Sequence, residues 1–190
     1  HAIVCLRTIS LCHDRFGNYD KATKIGIQAI SLCEMIDDPQ MLADMRLDIA
    51  GHLFKNKDFD KSIELAQKTI PFYQATNDKL YEAFAYKNIG MGFSAKKDSV
   101  NTILYFDKCL ALRKELKDPA GLAESYGQYA NFWFNEENYS KSLAAAKEAD
   151  FWIQKSQFRG MDGGLAAILG AALCKTGAFQ AGKAKLEFAL

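Results

Sequence analysis

Between residues 39 and 55 the apolar side chains Leu42, Met45, Ile49 and Leu53 recur at spacings of three and four, as one face of a helix requires. No stretch alternates apolar and polar residues with a strand's period over a useful length, so the pattern predicts an all-α chain. Shifting the sequence against itself by 40 residues shows that the helices repeat. One column holds Ser10, Ala50, Gly90, Ala130 and Gly170, and a second holds Ala22, Ser62, Thr102, Ser142 and Gly182, without one bulky side chain between them. Aromatic residues fall in register at Tyr19, Phe59, Tyr139 and Phe179.

Helix punctuation keeps the same period. Asn18, Asp58, Asp98 and Asn138 share a column, as do Asp38, Asp78 and Asp118, with Pro39 and Pro119 directly after two of them. Both sets carry side chains that accept hydrogen bonds from the open N–H groups of a helix start, where a first-turn proline loses nothing. Each unit is therefore expected to be a helix of about 14 residues, a short turn, a second helix of about 17 and a tight corner. The small columns mark where the two helices cross too closely for a longer side chain. Since a hairpin buries its apolar face only against neighbouring hairpins, the units should stack into a solenoid.

A small residue, an aromatic nine positions later and a second small residue twelve positions after the first resemble the tetratricopeptide repeat (TPR). Ala50, Gly90, Ala130, Ser62 and Ser142 stand at that family's small positions, and Tyr19, Phe59 and Tyr139 at its turn aromatic. The family's usual period is about 34 residues, so the six additional residues per unit are expected to lengthen the second helix and the corner. Such a version is similar to those of kinesin light chains, spindle-orientation adaptors and bacterial signalling proteins. The resemblance implies a right-handed superhelical solenoid of about five helix-turn-helix repeats, the last incomplete. It covers residues 1–190 as one repeat domain, with units near 1–38, 39–78, 79–118, 119–158 and 159–190, and reads as a fragment of a larger protein.

Local departures carry their own expectations. Ser99 replaces the turn aromatic in the third unit, so the turn Lys96-Lys97-Asp98-Ser99 should be looser or more exposed. The fourth corner, around Ser156 to Gly160, lacks the acidic cap and could set the fifth unit at a different angle. Pro71 should kink or end the helix it lies in. Gly163 and Gly164 should permit tight packing of the last hairpin.

Composition adds mainly exclusions. With 24 Lys and Arg against 23 Asp and Glu, no overall field draws in nucleic acid or an anionic membrane. The longest weakly polar run, from Gly163 to Cys174, is too short and too small-residue-rich to span a bilayer. Five cysteines contain no CxxC pair and leave one unmatched in any disulfide scheme, which reads as core thiols in a reducing compartment. The cytoplasm is the expected location, with the extracytoplasmic sensor region of a membrane-anchored regulator as the alternative. Of three histidines, His13 falls in the apolar column of Leu53, Phe93, Trp133 and Leu173, while His52 reads as a surface residue. Neither a catalytic constellation, a metal site nor a phosphate-binding glycine loop is recognisable, so no enzyme activity and no cofactor are expected.

Function is then expected on the concave face that first helices line in the resembled family. The residues flanking the small column there are Arg7, Asp44, Lys55, Phe84, Lys87, Asn88, Glu124, Gln128, Asn131, Phe134 and Asn135, with Asp14 and Asp48 beside them. The set is mixed in charge and rich in amides, which suits the backbone of an extended peptide or the face of a helix. Phe84 and Phe134 are the expected anchors for a ligand side chain. The family's carboxylate clamp is not reproduced: its positions fall on residues such as Arg7, Leu11, Asp48, Gly164 and Ile168. The expected role is a protein- or peptide-binding interaction or sensory module of a regulatory protein, alternatively a scaffold or adaptor, with uncapped apolar ends offering a route to a homodimer.

Overall fold

The computed structural model describes residues 1–156 and 162–188 of the chain. Among the described residues it contains ten helices and no strand: α1 (Ala2–Arg15), α2 (Tyr19–Met35), α3 (Pro39–Lys55), α4 (Phe59–Ala75), α5 (Lys79–Ala95), α6 (Ser99–Glu115), α7 (Pro119–Asn135), α8 (Tyr139–Ser156), α9 (Asp162–Lys175) and α10 (Phe179–Phe188). Odd and even helices pair as hairpins, giving the five helix-turn-helix units expected. The chain divides into two compact units, His1–Lys108 and Cys109–Leu190.

The helices are more even in length than the caps suggested. The first helices α3, α5 and α7 span 17 residues each, as do α2, α4 and α6. The additional residues of the long repeat thus lie in the first helix as well as the second, because hairpin turn and corner are one and the same three-residue device. In eight such turns the last residue's N–H returns to the carbonyl five residues back, from Asn18 to His13 through Ala178 to Leu173, at 2.8–3.2 Å. The middle residue takes the left-handed conformation that this Schellman-type closure needs. Glycine does so at Gly17 and Gly177, but Asp37, Lys57, Asn77, Lys97, Lys117 and Glu137 occupy the other six positions at φ of 50–64°.

The closing residue also starts the next helix. Asp38, Asp78, Asp98, Asp118 and Asn138 each accept the backbone N–H three residues on, at 2.9–3.1 Å, and Asp58 does so at 3.5 Å. Asn18 occupies the same position but its side chain closes no such bond. The turn at Lys96 to Asp98 is no looser than the others: Lys97 N–H bonds Ser94 and Asp98 N–H bonds Phe93 at 3.0 Å each, and Lys96 pairs with Asp60. Its backbone bonds, not the missing aromatic, fix the turn. The fourth corner lies largely outside the described residues.

The small columns sit where the helices of each hairpin touch. Ser10, Ala50, Ala130, Ala22, Ser62, Thr102 and Ser142 are at most 1% exposed. Beyond allowing close approach, the serines bond across it: Ser10 Oγ donates to the Ala22 carbonyl, Ser62 Oγ to that of Ala50 and Ser142 Oγ to that of Ala130, at 2.7–2.8 Å. In the last hairpin, glycine replaces these side chains, and a Cβ at Gly170 would come within 2.9 Å of the Gly182 carbonyl oxygen. Gly163 and Gly164, by contrast, are exposed, and a Cβ at Gly164 would meet nothing within 4 Å, so Gly164 serves no tight contact.

Pro71 does not end α4, which continues to Ala75. Pro71 and Gln67 both lie on the exposed face, where water can bond the Gln67 carbonyl that the ring leaves open. Turn aromatics cover the joints: Phe59 packs on Phe54 with ring centroids 5.6 Å apart, Tyr139 on Phe134 at 5.4 Å, and Lys55 and Lys175 lie over Tyr19 and Tyr139.

Candidate functional site

In the first unit, one face of each of the three successive first helices α1, α3 and α5 contributes to a single pocket of about 330 Å³. Helix α1 supplies Arg7, Leu11 and Asp14. Helix α3 supplies Leu47, Asp48, Gly51, His52 and Lys55. Helix α5 supplies Tyr81, Phe84, Lys87 and Asn88. Within each helix the residues follow one another at three or four positions or as immediate neighbours (Leu47 and Asp48, Gly51 and His52, Lys87 and Asn88), so each set lies on one broad stripe of its helix.

Five of the six sequence-predicted residues of this unit, Arg7, Lys55, Phe84, Lys87 and Asn88, are brought together here. Arg7 Nε donates to Asp48 Oδ2 at 2.7 Å, and its Nη1 lies 3.8 Å from Asp44. Burial pulls the Arg7 pKa down, but the Asp48 bond and the charges of Asp48 and Asp44 outweigh it and hold the guanidinium above its ordinary value. Asp44, the sixth, does not line the pocket. Its carboxylate accepts from Tyr73 Oη at 3.0 Å and from Gln40 Nε2 at 3.0 Å, so it braces Arg7 from behind. Burial first, then Asp44, drives the Tyr73 pKa up, and Tyr73 stacks on Tyr81 at 5.4 Å, carrying the brace to the pocket wall.

The opposite side holds a second polar group. Lys55 Nζ donates to Asp14 Oδ2 at 2.6 Å. His52 lies beside them, and here the sequence reading fails: the residue is 3% exposed rather than on the surface. Its column was a partial signal: Gly92, Phe132 and Ala172 at the equivalent positions are buried, although Cys12 is exposed. Because Ser10 Oγ gives its hydrogen to the Ala22 carbonyl, it accepts from His52 Nδ1 at 3.4 Å, and Nε2 then faces Asp14 Oδ1 across 3.9 Å.

Burial lowers the His52 pKa below its ordinary 6.5, against the opposing pull of Asp14 and Asp48 and with a smaller push from Lys55. Between the folded-state value and 6.5 the unfolded chain therefore binds more protons than the folded one, so stability rises with pH through that window. The His52 contribution should be fully present above pH 6.5 and decline as the pH falls below it. Thermal unfolding of His52→Gln beside the parent at several pH values between 5 and 8 should show a shallower slope in the variant.

In the second unit, Glu124, Gln128, Asn131, Phe134 and Asn135 all lie on α7, and none of them lines the pocket around Ile153, Leu165 and Lys185 or the one around Glu136, Tyr139 and Lys175. Asn131 and Asn135 are exposed and Gln128 is half-buried. Glu124 Oε2 stands 3.9 Å from the guanidinium of buried Arg113. Phe134 packs edge-on against Tyr139, so its ring is a joint residue equivalent to Phe54.

Elsewhere, Cys33 and Cys109 are buried, but Cys5 and Cys12 are exposed and Cys174 is partly so, which corrects the core-thiol expectation for those three; all five thiols are free. His13 is half-buried. Among the described residues no group of three or more His, Cys, Asp and Glu is placed to hold a metal ion, and no helix is long and apolar enough to cross a membrane.

No family model and no curated protein matches the chain. Solved structures do. A Rap protein complexed with Competence and Sporulation Factor superposes with a TM-score of 0.87 at 13% identity, over 97% of this chain and 52% of that one. BtubC (BKLC) from P. vanneervenii gives 0.80 at 16% identity, covering 97% of this chain and 76% of its own. A Podosopora anserina kinesin light chain of nearly identical TPR-like repeats gives 0.74 at 12% identity, covering 100% and 94%. The fold of the chain is that of TPR-like repeats.

Proposed function

We propose that this TPR-like repeat protein is a protein- or peptide-binding module, and that its ligand segment lies against the pocket of α1, α3 and α5. The observation that carries this reading is the convergence of Arg7, Lys55, Phe84, Lys87 and Asn88 from three separate helices on one concavity of about 330 Å³. Such a site offers an apolar wall, amide hydrogen bonding and charged edges at once, the combination an extended segment of protein needs. The Rap protein of the same fold, complexed with Competence and Sporulation Factor, gives independent support. The exposed α7 residues Asn131 and Asn135, with Gln128, offer amide hydrogen bonding of their own within the second unit.

In this reading the repeats form one domain serving a regulatory or signal-transduction protein whose output lies outside these residues, with an assembly scaffold as the second reading. Free surface thiols at Cys5 and Cys12 support a reducing, cytoplasmic setting.

A library of random heptapeptides displayed between flexible linkers, with neither terminus free, tests the reading. The parent protein should enrich a defined sequence, and Phe84→Ala combined with Asn88→Ala should weaken its binding at least about tenfold, the loss of one anchor. Phe134→Ala with Asn131→Ala measures what α7 adds. If both double variants bind like the parent while Lys24→Glu on exposed α2 abolishes binding, the pocket is not the site.

A further inference from the structure

Gly51 is a glycine that neither the backbone nor the packing of the protein requires. Helical glycines elsewhere in the first unit mark contacts, as Gly164 of the second does not: a Cβ at Gly26 would come within 2.6 Å of Ile49, and one at Gly92 within 2.5 Å of Ile63. At Gly51 a Cβ would meet nothing within 4 Å, and the residue lies inside α3 without a positive φ. The equivalent positions of neighbouring units carry full side chains, Leu11 and Met91. A glycine in a helix interior weakens the helix relative to alanine, so the empty space itself is what Gly51 provides.

That space opens into the pocket, where Leu11, Leu47, Tyr81 and Phe84 form apolar walls. The charges at its edges are already engaged: Arg7 with Asp48 at 2.7 Å, Lys55 with Asp14 at 2.6 Å, and Lys87 over the Phe84 ring at 5.0 Å. A charged ligand group would have to break one of these pairs to form another and would gain little. An apolar side chain displaces water from Leu11, Leu47 and the Gly51 backbone while leaving the pairs intact. At about 330 Å³ the pocket is at the low end of ligand sites, roughly 300–1,000 Å³, enough for one large side chain together with its flanking backbone.

We propose that Gly51 determines the specificity of the pocket by reserving room for a single large apolar side chain, Leu, Met or Phe, of the bound peptide segment. This rests on the peptide-binding reading above. The same heptapeptide library, selected against the parent, Gly51→Ala and Gly51→Leu, tests it. The parent should enrich one dominant apolar position. Gly51→Leu should lose affinity for those peptides by about tenfold or more, and Gly51→Ala by about threefold. Gly51→Ala should at the same time raise Tm by about 2–4 °C, because helix propensity improves where nothing is in the way. The proposal falls, with the peptide-binding reading intact, if peptides are enriched but their dominant position is acidic or basic, or if both Gly51 variants bind within about twofold of the parent. A lower Tm for Gly51→Ala overturns it without reference to any ligand, and failure to enrich any peptide overturns both readings.

Discussion

Replacing Asp118 by alanine is expected to lower the unfolding free energy by about 3 kcal/mol, through the loss of a buried ion pair and a helix cap together. Asp118 Oδ2 lies 2.5 Å from the Arg113 guanidinium, whose side chain is 2% exposed, while Oδ1 accepts the Gly121 N–H at 3.0 Å. One carboxylate thus compensates a buried charge at the end of α6 and opens α7. Gly121 belongs to the same arrangement, since a Cβ there would come within 2.5 Å of Arg113 Cδ. Alanine at position 118 leaves Glu124, at 3.9 Å, as a more distant carboxylate for the guanidinium. Asp118→Asn separates the contributions: it keeps an oxygen for the cap and loses the charge, so it should retain the roughly 1 kcal/mol of the cap. Adding Arg113→Met to Asp118→Asn should recover part of the loss, because a buried pair replaced by apolar groups costs less than a pair broken on one side. Urea denaturation followed by circular dichroism measures all three. A loss under about 1 kcal/mol for Asp118→Ala would mean that water reaches Arg113.

The repeat was legible because its signals are local or strictly periodic. Caps such as Asp38, Asp78 and Asp118 act on the N–H groups three residues on, and the small columns recur every 40 residues. The left-handed turn positions were not legible, because Lys57, Lys97, Lys117 and Glu137 hold a conformation that glycine would have announced. In those turns the backbone bonds of the closure override residue preference. At the candidate site the register placed five of six first-unit residues on the pocket, but register says only which face a residue is on. It could not show that Asp44 is drawn behind the wall by Tyr73, a residue 29 positions away, or that Phe134 is turned into the joint by Tyr139. Nor could it show that His52 is buried, for its column holds exposed Cys12 as well as buried Gly92, Phe132 and Ala172, and its burial is settled by its partners Ser10 and Asp14 on another helix. Gly51 was missed for the same reason: an empty space has no residue type to mark it.

Ala130→Leu should destabilise the second unit by about 3 kcal/mol, the upper end of the usual overpacking cost. Ala130 is fully buried beside Ala146, Ala149, Leu165 and Leu169, and its carbonyl receives the Ser142 hydroxyl at 2.8 Å. A leucine there can be accommodated only if α7 and α8 separate, and that separation also lengthens the Ser142 bond. Ser142→Ala alone removes the hydrogen bond and leaves the helices in place, so it should cost about 1 kcal/mol. The two effects share one contact and should not add: in Ala130→Leu, the further change of Ser142 to alanine should have less effect than in the parent. Chemical denaturation of the four proteins in this cycle distinguishes steric spacing from hydrogen bonding as the work of the small columns. Full additivity would show that the Ser142 bond survives the leucine, and hence that the helices yield elsewhere. A neutral Ala130→Leu would mean that positions 130 and 142 do not mark the helix crossing at all, and the 40-residue register built on them would be wrong.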